Sequence, residues 1–372
     1  MNKAIHIICL SQPYPPNYGG AVDMYYKLKA LHAAGIKMIL HVFLYGDYGP
    51  REELAQYASK IYYYKRHTGI RNQFSLQPYI VKSRKNTELL ENLCSDDYPI
   101  LFEGLHTCAF LSHPLLRNRY KIVRMHNIEH DFYNKLASYH PLSWKSMFFK
   151  IEAWKLKHYE SVLKYANRIL AISEADVEQL RHRYSNNDVR LLNCFFDDTP
   201  VSGVVGTKPY MIYHGNLSID ENIRVAEYII AEIAPCIKYE LVIAGLNPSD
   251  DLSKKASTVS NVKLIPNPSK EQMDELVASA RINLLITFQQ TGVKLKLLNS
   301  LYKSHGYIIA NTEMLYGTKL GSLCVKIDRT DGIINAINEL MAEEMSEDQL
   351  QLRHEVIKQL GYNKVDEIIE GI

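Results

Sequence analysis

No stretch of the 372-residue chain comes near the roughly 18–20 consecutive apolar residues that cross a bilayer, so no membrane-spanning helix is expected. The opening residues, MNKAIHIICL, go straight into a short apolar strand pattern. They lack a long apolar core followed by a small-residue cleavage site, so the expected compartment is the cytoplasm. The six cysteines, Cys9, Cys94, Cys108, Cys194, Cys236 and Cys324, are scattered and form no C-x-x-C pair. That spacing argues against a zinc site and a disulfide framework, and predicts small buried hydrophobes. Net charge is only +2 and no nucleic-acid-binding motif is present, which removes nucleic acid from the expected partners. There is no G-x-G-x-x-G fingerprint, no P-loop and no metal-binding Asp-x-Asp. Hydrophobic residues at 47% and charged residues at 23% leave no room for wholesale disorder.

What is present is a chain too long for one ordinary domain and suited to two of roughly 150–190 residues. Charge is unevenly placed: residues 1–198 hold 26 Lys/Arg against 19 Asp/Glu, and the remainder 17 against 22. Short apolar runs recur as parallel-strand candidates at Ala4–Leu10, Lys37–Leu44, Ile61–Tyr64, Ile100–Phe102, Lys121–Met125 and Arg168–Ile172, with helical patterns between them. The first such pattern, Ala21–Ala34, ends at Gly35 in a C-cap position. A segment rich in turn-forming residues, 197–209, breaks the alternation and reads as a linker. Strand candidates then resume at Tyr210–Tyr213, Tyr239–Ala244, Val262–Ile265, Ile282–Ile286, Tyr307–Ala310 and Leu323–Ile327, and the tail Gly332–Ile372 reads as two helices. The expected fold is α/β, with two Rossmann-like doubly wound parallel-sheet domains facing a cleft. Ligands of such sheets bind at the carboxyl ends of the strands.

Four motifs fall at such ends. Tyr18-Gly19-Gly20 follows the first strand; the glycines let backbone amides approach an anion at a helix start, or simply form a turn. Phe102-Glu103-Gly104-Leu105-His106 places a carboxylate at a strand tip. In Arg124-Met-His126-Asn127-Ile-Glu129-His130, His126 can bond a substrate hydroxyl or phosphate and Glu129 can orient it, while Asn127 and Glu129 also suit a helix start. In Thr291-Gly292-Val-Lys294-Leu-Lys296-Leu-Leu-Asn299 two lysines stand near a helix N-terminus, an unfavourable place for cations unless an anion compensates them.

These segments together resemble the GT-B-fold retaining glycosyltransferases of the family 4-like group. The resemblance is carried by Tyr14-Pro-Pro-Asn-Tyr-Gly-Gly20, Arg124-Met-His-Asn-Ile-Glu129, Ala171-Ile-Ser-Glu-Ala-Asp176, Tyr213-His-Gly215-Asn216-Leu217 and Gly292–Asn299, in the family's order and spread over about residues 5–345. It implies an acceptor domain at 1–198, a nucleotide-sugar donor domain at 199–346, and a terminal helix in 347–372 that packs back on the first domain. It implies transfer of a hexosyl group from a nucleoside-diphosphate sugar to a hydroxyl of a carbohydrate or lipid-linked acceptor in polysaccharide or glycoconjugate synthesis, with no metal or other cofactor. By position, His126, Glu129 and Glu103 are the catalytic candidates. Gly19, Gly20, Gly215, Asn216, Thr291, Gly292, Lys294, Lys296 and Asn299 are the donor and phosphate candidates, and Arg124, His106 and Asn127 lie on the acceptor side. The sequence departs from the family where it usually has two glutamates eight positions apart; Thr291 and Asn299 stand there, and an amide bonds a ribose diol without charge. The loop Ser218-Ile-Asp220-Glu221-Asn222 is acidic where the family carries Arg and Lys. A nucleotide-sugar 2-epimerase and a non-catalytic nucleotide-sugar-binding scaffold share the two-domain plan and stay open at this point.

One further segment, Trp144-Lys-Ser-Met147-Phe-Phe-Lys150-Ile-Glu-Ala-Trp154-Lys-Leu-Lys157, reads as a basic amphipathic helix. It suits either an anionic membrane surface or a core with a solvated lysine face.

Overall fold

The computed structural model describes residues 3–46, 49–69, 75–138, 143–185, 187–203, 206–289 and 294–370. The chain divides into two units, residues 1–196 with 362–372, and residues 197–361.

The first unit is built on seven parallel strands: β1 Ala4–Cys9, β2 Lys37–Leu44, β3 Lys60–Lys65, β4 Ile100–Glu103, β5 Lys121–Met125, β6 Arg168–Ala171 and β7 Asp188–Leu191. Their order is β3-β2-β1-β4-β5-β6-β7, so the winding reverses between β1 and β4. The pleat sends alternate residues to opposite faces. Ile5, Ile7 and Cys9 join Met24, Leu28 and Leu31 of the helix Gly19–Ala33 in one core. Ile8 joins Phe43, Tyr64 and Phe102 in the core on the other side. β7 has no counterpart among the sequence-predicted strands, because its alternate residues Asp188 and Arg190 are polar and pair with one another at 2.8 Å.

A buried polar chain crosses the first three strands. Asp96 Oδ1 lies 2.9 Å from His6 Nε2, His6 Nδ1 lies 2.8 Å from His41 Nε2, and His41 Nδ1 lies 2.8 Å from Tyr64 Oη. Asn92 donates to that phenol oxygen at 2.9 Å. One proton assignment satisfies every link: both imidazoles neutral and protonated on Nε2, and Tyr64 donating to His41. Burial holds the pKa of His6 below, and that of His41 well below, the usual histidine value.

The second unit has six parallel strands: β8 Lys208–Asn216, β9 Glu240–Leu246, β10 Val262–Pro266, β11 Ala280–Leu285, β12 Tyr307–Ala310 and β13 Val325–Lys326, in the order β10-β9-β8-β11-β12-β13. Here Met211 and Tyr213 face one core and Ile212 the other. β8 and β9 close so tightly at their ends that a Cβ on Gly245 would stand 1.9 Å from the Gly215 carbonyl oxygen, a contact only glycine permits. The chain after Leu323 forms three helices, Thr330–Leu340, Glu347–Gln359 and Asp366–Ile369, where two were expected. The extra break falls at Gly361, whose φ of 75° ends the middle helix region. Glu347–Gln359 stays in the second unit, where Arg353 donates to the Gly306 carbonyl at 2.9 Å. The return to the first unit begins at Tyr362.

The six cysteines are unpaired. Cys9, Cys108 and Cys194 are buried as expected, whereas Cys94 and Cys236 are exposed.

Candidate functional site

In the first unit, β4 and β5 run side by side with Glu103 opposite Arg124 in register. Their carboxyl ends therefore deliver Glu103, His106, Arg124, His126, Asn127 and Glu129 to one region. Gly104 turns the chain after β4 with φ 70°, and a Cβ there would meet His106 Nδ1 at 2.9 Å. The helix Gly19–Ala33 brings two charges that sequence reasoning missed, Asp23 and Lys27, both fully buried.

Together these groups form a closed ion cluster. Lys27 Nζ lies 2.8 Å from Glu103 Oε1 and 3.2 Å from Asp23 Oδ2, and Arg124 Nη2 lies 3.2 Å from Asp23 Oδ1. Asp23 also accepts the Phe195 amide at 2.8 Å. Burial opposes charge on both carboxylates, but Arg124, Lys27 and His126 hold Asp23 well below the usual range. Lys27 and the His126 hydrogen bond do the same for Glu103. Two carboxylates and two cations cancel, so the cluster is neutral when His126 is neutral. His126 Nε2 stands 2.9 Å from Glu103 Oε2. Among the described residues its Nδ1 has no hydrogen-bond partner, the Asp23 Oδ2 atom being 3.8 Å away. Donor atoms of Asp23, Glu103 and His126 lie within 4.8 Å of one another, the spacing of a metal set. Both carboxylates, however, already face Lys27, and a divalent ion there would stand against its ammonium. The donor set does not suit a metal.

Glu129 lies next to this cluster, 2% exposed. Burial, with the charge of Glu160 adding to it, pushes its carboxyl up to about 8, so it keeps its proton at neutral pH. His106 Nδ1 is 3.7 Å from Glu129 Oε1. Burial and the charge of Arg84 keep His106 neutral, its pKa well below the usual value. Asn127 is half-buried beside them. His130 belongs elsewhere: its Nδ1 is 2.7 Å from Glu160 Oε1, and Arg183 completes that pair at 3.1 Å. Gly19 and Gly20 open the helix Gly19–Ala33, which begins without a side-chain cap and without an acidic residue in its first turn. Its first amides are therefore available to an anion. The Ala171–Asp176 motif has a plain structural use, Ser173 capping the next helix by accepting the Asp176 amide at 3.1 Å.

In the second unit, Gly215 and Asn216 end β8. Asn222 ties that end to the following helix, donating to the Asn216 carbonyl at 2.9 Å. Thr291 and Gly292 lie outside the described residues. Lys296 sits on the helix Leu295–Lys303, with Nζ 3.4 Å from Asn222 Oδ1 and 4.9 Å from the centroid of the Tyr213 ring. Among the described residues it has no carboxylate within salt-bridge distance. Glu221, the acid whose charge it feels, accepts instead from Thr287 Oγ1 at 2.8 Å and the Phe288 amide at 2.6 Å. Burial and the neighbouring Lys294 charge pull the Lys296 ammonium down to about 8. Lys294 donates to the Gln289 carbonyl at 2.8 Å. Asn299 keeps its Oδ1 buried and, among the described residues, without a hydrogen-bond partner. Gly215, Asn216, Lys294, Lys296 and Asn299 do not line the cavity of about 250 Å³ between Tyr228, Phe288, Asn311, Glu313 and Asp328. Its acids are already engaged, Glu313 by Asn311 at 2.8 Å and Asp328 by Thr312 at 2.7 Å.

A signal for the missed pair exists in the sequence. Asp23 and Lys27 are four apart and lie among the apolar positions Ala21, Met24, Leu28 and Leu31 of one helix. Charges in such a stripe must be paired, since unpaired ones are almost never fully buried.

No family model matches the chain. A curated relative from Klebsiella pneumoniae, described as an uncharacterized 44.6 kDa protein in the cps region, is 23% identical over 367 residues, covering 91% of this chain and 88% of that protein. Among solved structures, TarM superposes with a TM-score of 0.67 at 12% identity, covering 100% of this chain and 98% of the other. A UDP-forming alpha,alpha-trehalose-phosphate synthase from Burkholderia xenovorans, in complex with glucose-6-phosphate, gives 0.59 at 10% identity, covering 98% and 97%. Near-complete coverage on both sides, with two parallel sheets of seven and six strands, gives this chain the GT-B fold of the glycosyltransferases.

Proposed function

We propose that the protein is a retaining, nucleotide-sugar-dependent hexosyltransferase that works without a metal ion in polysaccharide synthesis. The observation that carries this reading is the Lys296 ammonium. It is held at the carboxyl end of a nucleotide-type sheet, depressed to about 8, and lacks a carboxylate partner among the described residues. A diphosphate is the counter-charge that would restore it. The fold of the neighbours, the UDP-forming activity named for one of them and the cps region named for the relative support the same reading.

In this scheme the second unit holds the donor through Gly215, Asn216, Lys294, Lys296 and Asn299, with Thr291 and Gly292 as further donor candidates. The uncapped amides at Gly19 and Gly20 are offered to a phosphate. The bond from the anomeric carbon to the phosphate oxygen breaks and a bond to the acceptor oxygen forms on the same face. The acceptor's proton passes to the departing phosphate. His126, its Nε2 hydrogen spent on Glu103, offers the Nδ1 lone pair to a sugar hydroxyl. Asp23, Lys27, Glu103 and Arg124 fix the ring without adding net charge. Glu129, keeping its proton, serves as a hydrogen-bond donor beside it, with His106 and Asn127 on the acceptor side; Arg124, fully buried on Asp23 and the Leu192 and Asn193 carbonyls, acts only within the cluster. A place at the inner face of a membrane, where lipid-linked acceptors lie, belongs to the same reading.

The test is a panel of nucleotide sugars assayed by titration calorimetry and by product NMR, with wild type, Lys296→Ala and His126→Ala. Lys296→Ala should weaken donor binding about tenfold or more, the scale of one charge-assisted contact. His126→Ala should cut transfer roughly 100-fold while the protein still folds and binds donor. Free nucleoside diphosphate appearing with no acceptor present, together with an epimerised sugar, would make the protein a 2-epimerase. No binding to any donor would leave a scaffold.

A further inference from the structure

The helix Trp144–Tyr159 carries a surface that the site does not use. Trp144 is 78% exposed, Met147 67%, Ile151 46% and Trp154 57%. Their spacing of three, four and three places them within an arc of about 80° on the helix. These are the only two tryptophans in the chain, a residue type that is highly buried on average. The exposed charges on this helix and the turn after it are of one sign. Lys145, Lys150 and Lys157 are exposed, as is Lys164 in the turn that follows. The acids of the same stretch are withdrawn: Glu152 is buried against Lys155 at 2.8 Å and the Tyr79 amide at 2.7 Å, and Glu160 is buried against His130 and Arg183. The packed neighbour helix, Glu129–Ser138, exposes Asn134, Lys135 and Ser138, and about half of the Asp131 side chain, which lies 3.3 Å from His130.

We infer that this face docks on an anionic lipid bilayer, with the Trp, Met and Ile side chains in the interface and the lysines on the headgroup phosphates. Exposed tryptophan suits that zone, since its ring is apolar and its N–H needs a polar partner. Each lysine adds attraction to a negative surface. A second copy of the chain is the poorer occupant, because a two-fold contact would set lysine against lysine with no exposed acid on the stripe to answer it. The inference gives the glycosyltransferase reading a place to meet lipid-linked acceptors, and is measured separately from it.

The probe is large unilamellar vesicles, either phosphatidylcholine alone or phosphatidylcholine with phosphatidylglycerol, mixed with the full chain and no sugar donor. Sedimentation and tryptophan emission are read together, since both fluorophores lie on the proposed face. Binding to the phosphatidylglycerol vesicles, a blue shift of emission and loss of both in high salt are expected. The combined change Lys145→Glu, Lys150→Glu and Lys157→Glu should reduce binding at least about tenfold, with circular dichroism and transfer to a water-soluble acceptor unchanged. Trp144→Ser with Trp154→Ser should reduce sedimentation likewise. Failure to sediment with phosphatidylglycerol vesicles, or sedimentation without a blue shift, overturns the inference and leaves the transferase reading standing. Dimers in lipid-free solution that the lysine changes alter and whose emission is already blue-shifted overturn it in favour of self-association.

Discussion

At the scale of single residues, the first unit shows how a buried carboxylate and a buried carboxylic acid can stand side by side. Glu103 faces Lys27 and His126 and stays charged; Glu129 faces Glu160 and the apolar interior and stays protonated to about 8. The second case has a consequence for stability. Folding raises the Glu129 pKa from 4.5 to about 8, so the folded state holds a proton that the unfolded chain gives up. The stabilisation this proton brings is complete below pH 4.5 and is lost as pH rises toward 8. Glu129→Gln keeps the shape and removes the titration. Thermal unfolding from pH 5 to 8 should show wild type losing ground that the variant keeps, by on the order of 1–3 kcal/mol. Parallel curves for the two proteins would show that Glu129 is ionised throughout.

At the scale of strands and helices, the chain Asp96–His6–His41–Tyr64 ties β1, β2 and β3 through side chains as well as backbone. Protonating His6 would point two N–H groups at each other across 2.8 Å, and protonating His41 would set a new N–H against the hydroxyl proton of Tyr64. Both pKa values are lowered by burial, so this stabilisation is present above the unfolded value of 6.5 and is lost as pH falls below it. His41→Leu should flatten that acid limb in urea titrations at pH 7 and pH 5; an unchanged slope would place the acid sensitivity elsewhere. Neither this chain nor the Asp23–Lys27–Glu103–Arg124 cluster was legible in the sequence, although nearly every strand was. The strands announce themselves locally, by apolar runs such as Ile5–Cys9 and Leu241–Ala244 between turn residues. The clusters join residues up to 101 positions apart, and only the sheet order β3-β2-β1-β4-β5 brings them together. The carboxyl-end motifs at Glu103 and His126 could be found because a strand tip is a local feature; their partner Lys27 carries a weaker mark, its place beside Asp23 among the apolar positions of one helix, and that mark does not say which distant carboxylate it meets. β7 escaped for the opposite reason, being an edge strand whose polar residues Asp188 and Arg190 hide the apolar pair between and after them.

At the scale of the molecule, the first unit is completed by residues far along the chain. Ile368 is fully buried in its core and Val365 nearly so. Asn363 bonds both backbone groups of Phe196, at 2.9 and 3.1 Å. Arg168 donates to the Glu367 and Glu370 carbonyls at 2.7 and 3.0 Å. Ending the chain at Gly361 should therefore cost the first unit roughly 3–5 kcal/mol, the scale of a lost buried aliphatic plus the carbonyl bonds of Arg168, which keeps only Asp188 at 2.7 Å. Hydrogen exchange should quicken in β6 and β7 and stay slow in β8, β9 and β11; equal quickening in both sheets would refute a local effect.

The same arrangement sets an order on biosynthesis. A ribosome delivers all seven strands of the first sheet before residue 192, yet the cap over their core waits until some 170 further residues have been made. The intervening unit, continuous in sequence, can finish first as an independent folding nucleus. A nascent polypeptide cut short anywhere before Val365 would leave the tunnel with an unsealed first half, a ready target for proteolytic clearance.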